Sequence, residues 1–390
     1  MILLATAVVA SASPVVPKDK RSVASEGVIT LPLRRNPKTA SSNSVWPFQR
    51  RQDPTGVPTL LHNHDTIFSV QVDIGTPPQH VQLLVDTGSA DLWVPSMSCA
   101  SRVCGKDKVD PANSRTARKS DESYEIKYGD GSSADCTAYK ETVEIAGVIA
   151  EEQFIGLANN VTSSNPENNE TPVGLLGLAF QSISVIDAPT FMDTAFQQKK
   201  IKNNVFSLYM PSIGDGEITL GGINQGRFSG DMTYAPVTNK TFWFFEITSL
   251  TFGNAAIGKG SPKNGQSDGG RSLKGIMDSG TSLIILGNED VKRFYSGFTD
   301  AEVFNKQYWS IPCQAMQPID VTLASGAKFS ISKDRANLGN TATGSEKCVV
   351  AVTGGGLDGE VLVGLSFMSS HYVVFDKDSS QIGIAPVKTS

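Results

Sequence analysis

The stretch VDTGSADLW at residues 85–93 is echoed by MDSGTSLII at residues 277–285. A second pair of segments follows in the same order, with GLLGLAF at 174–180 and LVGLSF at 362–367. The two pairs repeat with offsets of 192 and 187 residues. Because motifs that recur in one order indicate a duplicated structural unit, the sequence predicts two similar lobes. Each lobe would contribute one Asp-Thr/Ser-Gly turn and one apolar strand that reaches a glycine.

Short runs of β-branched and aromatic residues recur along the chain between Gly, Asn and Asp turns. They lie at residues 68–75, 80–88, 123–131, 204–210 and 371–378. Several of them alternate apolar and polar residues, which is the period of a strand with one buried face. The pattern predicts an all-β fold. Helices are expected near residues 189–200 and near residues 288–298, where Asn288 is the predicted N-cap.

Asp86 and Asp278 each follow an apolar run and precede a Thr/Ser-Gly pair. An aspartate in this context lies at the end of a buried strand, where glycine allows a tight turn whose N–H approaches the carboxylate. If the two turns meet, the two carboxylates cannot both ionise without a large energetic cost, so the pair keeps one proton. The ionised member would take a proton from a bound water while the protonated member donates to a carbonyl oxygen. The repeat therefore predicts hydrolysis that needs no metal and no cofactor.

With these motifs the chain resembles the pepsin-like aspartic proteases, and most closely the secreted fungal pepsins, over nearly all of residues 52–390. The resemblance implies an all-β, bilobal fold in which two related lobes flank a central cleft. It also implies an endopeptidase that hydrolyses peptide bonds in acid, with Asp86 and Asp278 as the catalytic pair. The residues implied to support this pair are Thr87, Gly88, Ser89, Ser279, Gly280 and Thr281.

Residues 128–132 are similar to the family's flap, a hairpin that closes over the substrate. The residues implied to bind substrate are Tyr128, Gly129, Asp130, Gly131 and Ser132, with Trp93 as the indole that hydrogen-bonds to Tyr128. In fungal relatives an Asp at the position of Asp130 lets the enzyme accept Lys before the scissile bond, beside the usual large apolar residues. Cys136, a few residues further on, departs from the family pattern at this hairpin.

Five cysteines are present, at positions 99, 104, 136, 313 and 348. In an oxidising compartment two pairs are expected, and the spacing alone leaves their pairing open. The resemblance implies the disulfides Cys99–Cys104 and Cys313–Cys348, which leaves Cys136 either buried or reactive. A zinc site is not indicated, because the chain has no C-x-x-C motif and its four histidines do not form an HExxH array.

The amino-terminal segments differ from the rest of the chain. Residues 1–12 form an apolar run that ends in Ala-Ser-Ala, as is typical of a secretory signal peptide. Residues 13–51 carry eight basic and two acidic side chains, a net charge of +6, whereas residues 52–390 carry −11. A basic segment ahead of an acidic body predicts a propeptide that covers carboxylates at neutral pH and loosens in acid. Arg50-Arg51 is the predicted processing point, which would leave a mature chain that starts near Gln52.

The acidic body is expected to divide into an N-terminal lobe at residues 52–230 and a C-terminal lobe at residues 231–390. The sequons at Asn160, Asn169 and Asn239 predict N-glycosylation and agree with a secreted protein, extracellular or vacuolar. No run of residues is long and apolar enough to indicate a membrane span, and the acidic body does not indicate a nucleic-acid partner. The expected partners are protein and peptide substrates and the chain's own propeptide, which would inhibit a monomeric enzyme.

Two other functions remain open on the sequence. A pair of carboxylates also serves glycosidases, although that function explains neither the Thr/Ser-Gly repeats nor the flap. A catalytically inactive binding protein of the same fold would be expected to lack one Asp or a neighbouring Gly, and both turns are intact here.

Overall fold

The computed structural model describes residues 28–37, 66–100, 104–162, 174–259, 271–305 and 308–388. Within these ranges 24 strands form two sheets, and helices are few and short. The predicted all-β class and the expected pair of related sheets are therefore confirmed.

The strands of the first part of the chain range from 4 to 15 residues in length. They are β1 Ile29–Pro37, β2 Thr66–Ile74, β3 Gln79–Asp86, β4 Leu92–Pro95, β5 Arg118–Lys127, β6 Ser133–Ile145, β7 Val148–Thr162, β8 Gly174–Gly177, β9 Val205–Tyr209, β10 Gly216–Leu220 and β11 Thr233–Pro236. The second part of the chain continues with β12 Phe244–Phe252, β13 Ala255–Gly258, β14 Leu273–Met277, β15 Ile284–Gly287, β16 Glu302–Phe304, β17 Tyr308–Pro312, β18 Ile319–Leu323, β19 Lys328–Ile331, β20 Asn337–Asn340, β21 Lys347–Gly356, β22 Glu360–Val363, β23 His371–Asp376 and β24 Gln381–Pro386.

A sheet of 13 strands has the order β11-β24-β23-β9-β10-β1-β2-β3-β8-β4-β7-β6-β5, and a sheet of 11 strands runs β16-β17-β21-β15-β22-β14-β12-β18-β19. In the second sheet β13 pairs with β12, and β20 pairs with β21. Strands β23 and β24, near the end of the chain, thus lie in the same sheet as β1–β10. This sheet therefore contains strands from both the first and the last described parts of the chain.

The internal repeat predicted from the sequence is present as a repeated strand arrangement. Strand β3 runs parallel to β8, with Asp86 opposite Gly177, and β14 runs parallel to β22, with Met277 opposite Val363. In each sheet the strand that leads to an aspartate therefore lies beside the apolar strand of the second motif. Burial of β-branched and leucine side chains on these strands holds the arrangement in the core.

Four α-helical segments occur within the described ranges: α1 Phe191–Gln197, α2 Asn288–Tyr295, α3 Lys333–Ala336 and α4 Leu365–Met368. Helix α1 begins with a capping box in which the Thr190 hydroxyl accepts from Asp193 N and the Asp193 carboxylate accepts from Thr190 N. Helix α2 lies where a helix was predicted, but the expected cap is wrong. Its N-cap is Gly287.

The open amides of α2 are instead satisfied from a distant turn. Asp358 Oδ1 accepts from Glu289 N at 2.9 Å and from Asp290 N at 3.3 Å. A carboxylate at a helix N-terminus satisfies unpaired N–H groups and interacts well with the helix dipole. Because Asp358 is almost 70 residues away in sequence, the residues around Asn288 could not predict that it caps α2.

Both predicted disulfides, Cys99–Cys104 and Cys313–Cys348, are formed. Cys136 is free and buried. No helix in the described part of the chain is long and apolar enough to cross a membrane.

Strand β1 comes from the segment predicted to be a propeptide, yet it lies inside the large sheet. Residues 29–33 pair antiparallel with β10, and residues 34–37 pair antiparallel with β2. Leu33 is fully buried in the main core. The predicted signal peptide at 1–12, the rest of the basic segment and the Arg50-Arg51 pair lie outside the described residues.

His371, the first residue of β23, is buried among aromatic rings. Its ring stacks on Phe367 with 4.2 Å between centroids and meets Phe329 edge-on at 5.4 Å. Its Nδ1 lies 2.9 Å from Phe367 O. Burial lowers the pKa of His371 from 6.5 to about 4, because a charged imidazolium would lose its hydration in this apolar setting.

We expect His371 to make the fold less stable in acid. Between pH 6.5 and pH 4 the unfolded chain binds a proton at this side chain that the folded chain does not, so the free energy of unfolding should fall by about 3 kcal/mol as the pH drops through this window. His371→Phe should remove this pH-dependent loss of stability. The Phe367 carbonyl would still accept a hydrogen bond from Ser370 N in that variant. Urea unfolding at pH 7 and pH 4 measures the loss, with both proteins in an Asp278→Asn background that lacks the predicted hydrolytic activity. An equal loss of stability in the two proteins would contradict the assignment.

Candidate active site

The two predicted aspartates meet at the ends of equivalent strands. Asp86 is the last residue of β3, and Asp278 directly follows β14. Each carboxyl lies directly against the turn that carries the other. The turns are so close that a methyl group on Gly88 would lie 2.5 Å from Asp278 Oδ1, and one on Gly280 would lie 2.5 Å from Asp86 Oδ1. Only glycine fits at either position.

Each carboxyl receives the same two hydrogen bonds from its own turn. Asp86 accepts from Gly88 N at 2.7 Å and from the Ser89 hydroxyl at 2.7 Å. Asp278 accepts from Gly280 N at 2.9 Å and from the Thr281 hydroxyl at 2.5 Å. Ser89 and Thr281, which the resemblance implies as support, thus each bond the outer carboxyl oxygen, Oδ2, while the glycine N–H bonds the inner oxygen, Oδ1. The two turns form matching halves of one site.

Thr87 and Ser279 link the two turns to each other. The Thr87 hydroxyl donates to Met277 O at 2.9 Å and accepts from Ser279 N at 2.9 Å. The Ser279 hydroxyl donates to Val85 O at 2.8 Å and accepts from Thr87 N at 3.0 Å. Both side chains are buried. Four reciprocal bonds therefore fix the relative position of the turns, and with it the position of the carboxyls.

The electrostatics of the pair favour retention of a proton. Burial is the larger cause and the Asp278 carboxyl the second, and together they raise the pKa of Asp86 from 3.8 to about 7. The bonds from Ser89 and Gly88 oppose the shift, because they stabilise the ionised form. Because the carboxyls interact, they titrate as a unit. A pair of this kind can hold one proton and one negative charge at the same time.

The predicted flap is the hairpin between β5 and β6. Tyr128 follows β5, and a tight turn closes with bonds from Gly131 N to Tyr128 O and from Tyr128 N to Ser132 O, each 3.0 Å. Gly131 has a φ of +83°, a conformation that side-chain-bearing residues rarely adopt. Gly129 has open space around its α-carbon, so the tip of the hairpin is uncrowded.

Trp93 and Tyr128 join the flap to the site. The Trp93 indole N–H donates to the Tyr128 hydroxyl at 2.6 Å, as the resemblance implied. Burial, followed by the charge of Asp86, raises the pKa of Tyr128 well above its ordinary value. The phenol is therefore neutral, and it is close enough to Asp86 for the carboxylate charge to affect its pKa.

Asp130 lies at the tip of the hairpin, partly exposed. Its Oδ1 accepts from Ser132 N at 2.9 Å and from the Ser132 hydroxyl at 2.6 Å. Cys136, on β6 below the turn, packs in a small cluster with Trp93 and the Cys99–Cys104 disulfide. Burial raises the pKa of Cys136 to about 12, so its sulfur is a neutral thiol and not the reactive alternative.

One buried carboxyl within the first motif was missed by the sequence analysis. Asp91 accepts from the Ser184 hydroxyl at 2.7 Å and from Val185 N at 3.0 Å. Burial raises its pKa above the ordinary value. The signal was an acidic residue inside an otherwise apolar stretch, Ala90 to Trp93. Asp91 anchors the segment after β8 to the turn that carries Asp86.

Two of the three predicted glycosylation sites are among the described residues, and both are at the surface. Asn160 and Asn239 are exposed, and Asn160 Nδ2 donates to Asp135 Oδ2 at 3.0 Å. Asn169 lies outside the described residues. In the part of the chain that the structure covers, no group of three or more His, Cys, Asp or Glu side chains is placed to hold a metal ion.

The chain is similar to known proteins over most of its length. The family described as "Eukaryotic aspartyl protease" matches residues 68–387. An aspartic protease of Phaffia rhodozyma is 27% identical, with 98% of this chain and 97% of the relative covered. Rhizopuspepsin-4 of Rhizopus niveus is 32% identical over 85% of this chain and 80% of its own length. Pepsin B of Canis lupus familiaris is 28% identical over 94% of this chain and 93% of its own length.

The reciprocal hydroxyl bonds predict a large effect of a small change. Thr87→Val keeps the shape of the side chain but leaves Ser279 N and Met277 O buried without their partner. Since an unsatisfied buried group costs about 1–3 kcal/mol, we expect the free energy of unfolding to fall by at least about 2 kcal/mol in urea titrations at pH 7.

The matched control is Thr251→Val, because the Thr251 hydroxyl is partly exposed and reaches Asp320 Oδ2 only at 3.5 Å. It should change stability by less than about 0.5 kcal/mol. Similar effects of the two substitutions would mean that the Thr87 hydroxyl does not hold the turns together.

Proposed function

The chain belongs to the eukaryotic aspartyl protease family and is an aspartic-type endopeptidase of the pepsin type, and from this premise we propose that Asp86 and Asp278 are its catalytic pair. The observation that carries the assignment is the close approach of the two turns at the ends of two equivalent strands, which brings each carboxyl against the other turn. This approach provides an acid and a base in one place at acidic pH.

In the proposed reaction a water molecule is held between the two carboxyls. The ionised carboxyl removes a proton from the water while the protonated carboxyl donates its proton to the scissile carbonyl oxygen. The water oxygen bonds to the carbonyl carbon and forms a neutral tetrahedral diol. The protonated carboxyl then donates to the amide nitrogen while the ionised carboxyl takes a proton from a diol hydroxyl, so the C–N bond breaks and an amine and a carboxylic acid are released. The pair returns to one proton and one charge, so no covalent intermediate forms.

The flap hairpin supports a role in substrate binding. We propose that residues 128–132 cover an extended peptide in a cleft between lobes at 52–230 and 231–390. The Trp93–Tyr128 bond would hold the hairpin near the carboxyl pair, and Ser89 and Thr281 would keep the outer carboxylate oxygens occupied. The inner oxygens accept one backbone N–H each and would keep a second lone pair for the water and the substrate.

We also propose that the protein is made as a secreted precursor. The inclusion of β1, from the basic segment 13–51, in the large sheet supports an intramolecular propeptide. The opposite charges of this segment and the body favour a cover that is lost when body carboxylates are protonated. The apolar run at 1–12 and the sequons at Asn160, Asn169 and Asn239 support passage through the secretory route, and the mature enzyme would act as a monomer.

The pH dependence of peptide hydrolysis tests the catalytic pair. The protein is first treated with acid to remove the propeptide. We expect it to digest haemoglobin at acidic pH, and we expect the rate to decline as the pH rises through about 7, because the shared proton is then lost. Asp86→Asn and Asp278→Asn should each lower kcat by at least about a thousandfold, since each removes half of the acid–base pair. N-terminal sequencing of the same sample should place the new terminus near Gln52.

The exposed Asp231→Asn serves as the matched control and should digest haemoglobin as fast as the wild type. Digestion that persists in either catalytic-pair variant, or that peaks above pH 8, would rule out the proposed chemistry. Retention of residues 13–51 in fully active protein would rule out the precursor proposal alone.

A charge at the flap tip should set one preference of the enzyme. We propose that Asp130 pairs with a Lys before the scissile bond, so Asp130→Thr should lower kcat/KM for such a peptide by about tenfold or more, equivalent to about 1.4 kcal/mol. Cleavage after Phe or Leu should be unchanged. Asp130→Asn keeps an acceptor for Ser132 and removes only the charge, so it should lose the Lys substrate too. Equal cleavage of the Lys peptide by all three proteins would refute the idea.

A further inference from the structure

Residues 177–185 lie against the turn that carries Asp86, and we call them the support segment. Leu178 N donates to Asp86 O at 2.8 Å, and Ala179 N donates to Ser89 O at 2.8 Å. The Ser89 hydroxyl in turn donates to Asp86 Oδ2. The support segment therefore holds the backbone of the residue that carries the carboxyl and of the residue that binds its outer oxygen.

A single residue, Asp91, holds both ends of the support segment. Its backbone O accepts from Gly177 N at 3.1 Å. Its Oδ1 accepts from the Ser184 hydroxyl at 2.7 Å, and its Oδ2 accepts from Val185 N at 3.0 Å. The Ser184 hydroxyl also accepts from Ala188 N at 3.0 Å, which fixes its orientation. Asp91 thus bonds the first residue of the segment and its last two.

The second repeat supports its turn in a different way. Leu365 N donates to Thr281 O at 2.8 Å, and the residues that follow form helix α4, which its own backbone bonds hold. At the position of Asp91 this repeat has Leu283. The support segment of the first repeat has only one short 3₁₀ turn, Gln181–Ile183, so it depends on Asp91 where its counterpart depends on a helix.

Asp91 occupies an unfavourable place for an acidic residue. It is 8% exposed, both donors to its carboxyl are neutral, and burial raises its pKa above the ordinary value. The titratable groups whose own pKa values it affects are Tyr124, Tyr128 and Cys136, which are neutral too. A buried carboxyl whose partners are neutral costs free energy, and perturbed groups of this kind concentrate at functional sites.

We propose that Asp91 is a positioning residue for peptide cleavage. Its backbone and its carboxyl hold the two ends of the support segment, the segment holds the carbonyls of Asp86 and Ser89, and these fix the Asp86 carboxyl relative to Asp278. Asp91 acts only through these neighbours, and the inference rests on the proposed catalytic pair.

Two substitutions of Asp91 separate position from charge. Asp91→Ala removes both bonds to the end of the support segment, and because small displacements of reacting groups are costly, we expect kcat to fall by about tenfold or more. Asp91→Asn removes the charge but can keep both bonds, since its carbonyl can accept from Val185 N and its amide can donate to the Ser184 hydroxyl. It should therefore retain at least about a third of the wild-type kcat.

The rates are measured with the acid-treated protein and a peptide that has Phe before the scissile bond. The kcat is given per folded molecule, with the folded fraction taken from near-ultraviolet circular dichroism at the assay pH. KM should stay within about threefold of the wild type in every variant, because Asp91 acts on a reacting carboxyl and not on the substrate. Ser184→Ala is a second variant that leaves Asp91 in place, and since it removes one of the two bonds it should lower kcat by about threefold.

Asp376→Ala is the matched control. Asp376 is 9% exposed and, like Asp91, accepts one backbone and one side-chain bond, from Ser379 N at 2.8 Å and from Gln381 Nε2 at 2.9 Å. The control should lower Tm as Asp91→Ala does, while its kcat per folded molecule stays within about twofold of the wild type.

A wild-type kcat per folded molecule in Asp91→Ala or in Ser184→Ala would overturn the inference alone. So would an Asp91→Asn protein that is as slow as Asp91→Ala, because position and charge would then not be separable. A wild type that does not cleave the peptide would overturn the proposed function as well.

Discussion

The close approach of the carboxyl groups of Asp86 and Asp278 is the constraint on which the rest of the site depends. Two such groups repel each other when both are ionised, and the burial of Asp86 adds a desolvation cost. The pair therefore does not hold itself together. It is held by Thr87 and Ser279, whose buried hydroxyls each donate one bond and accept one bond across the two turns. These bonds fix the backbone of the two turns, and the carboxyls are brought together as a consequence.

The second motif of each repeat follows from the same requirement. A strand that ends in a tight turn needs a neighbour that can approach the turn closely. A methyl group on Gly177 would lie 2.4 Å from the Ala90 carbonyl carbon, and one on Gly364 would lie 2.3 Å from Thr281 O. Only glycine permits this approach. The apolar-apolar-Gly motif is thus the packing partner of the Asp-Thr/Ser-Gly motif, which explains why the sequence repeats the two with almost the same spacing.

The sequence was sufficient where residue type and local geometry determine each other. The carboxyl pair, the glycines beside it and the all-β class could be predicted because each needs a particular residue at a particular offset. The disulfide pairing came from the family resemblance, since spacing alone left it open. The cap of α2 could not be predicted, because Asp358 reaches it from a remote turn. Nor does any local pattern reveal that β23 pairs with β9, or that β1 lies between β10 and β2, since register between distant strands is set by the packing of the whole core.

The two halves of the site are related but not equivalent, and the difference bears on how one proton serves two carboxyls. The inner and outer hydroxyls are exchanged between the turns: Thr87 and Ser89 in the first correspond to Ser279 and Thr281 in the second. Each carboxyl nevertheless receives one N–H and one hydroxyl bond, so hydrogen bonding does not favour a charge on one side over the other. Burial does differ, because Asp86 is 7% exposed whereas Asp278 is half-buried. The proposed reaction moves the proton from one side to the other and back, and matched hydrogen bonds keep the free-energy difference between those states small. The symmetry of the duplicated turns thus serves the proposed chemistry, because it lets the pair share one proton as a unit.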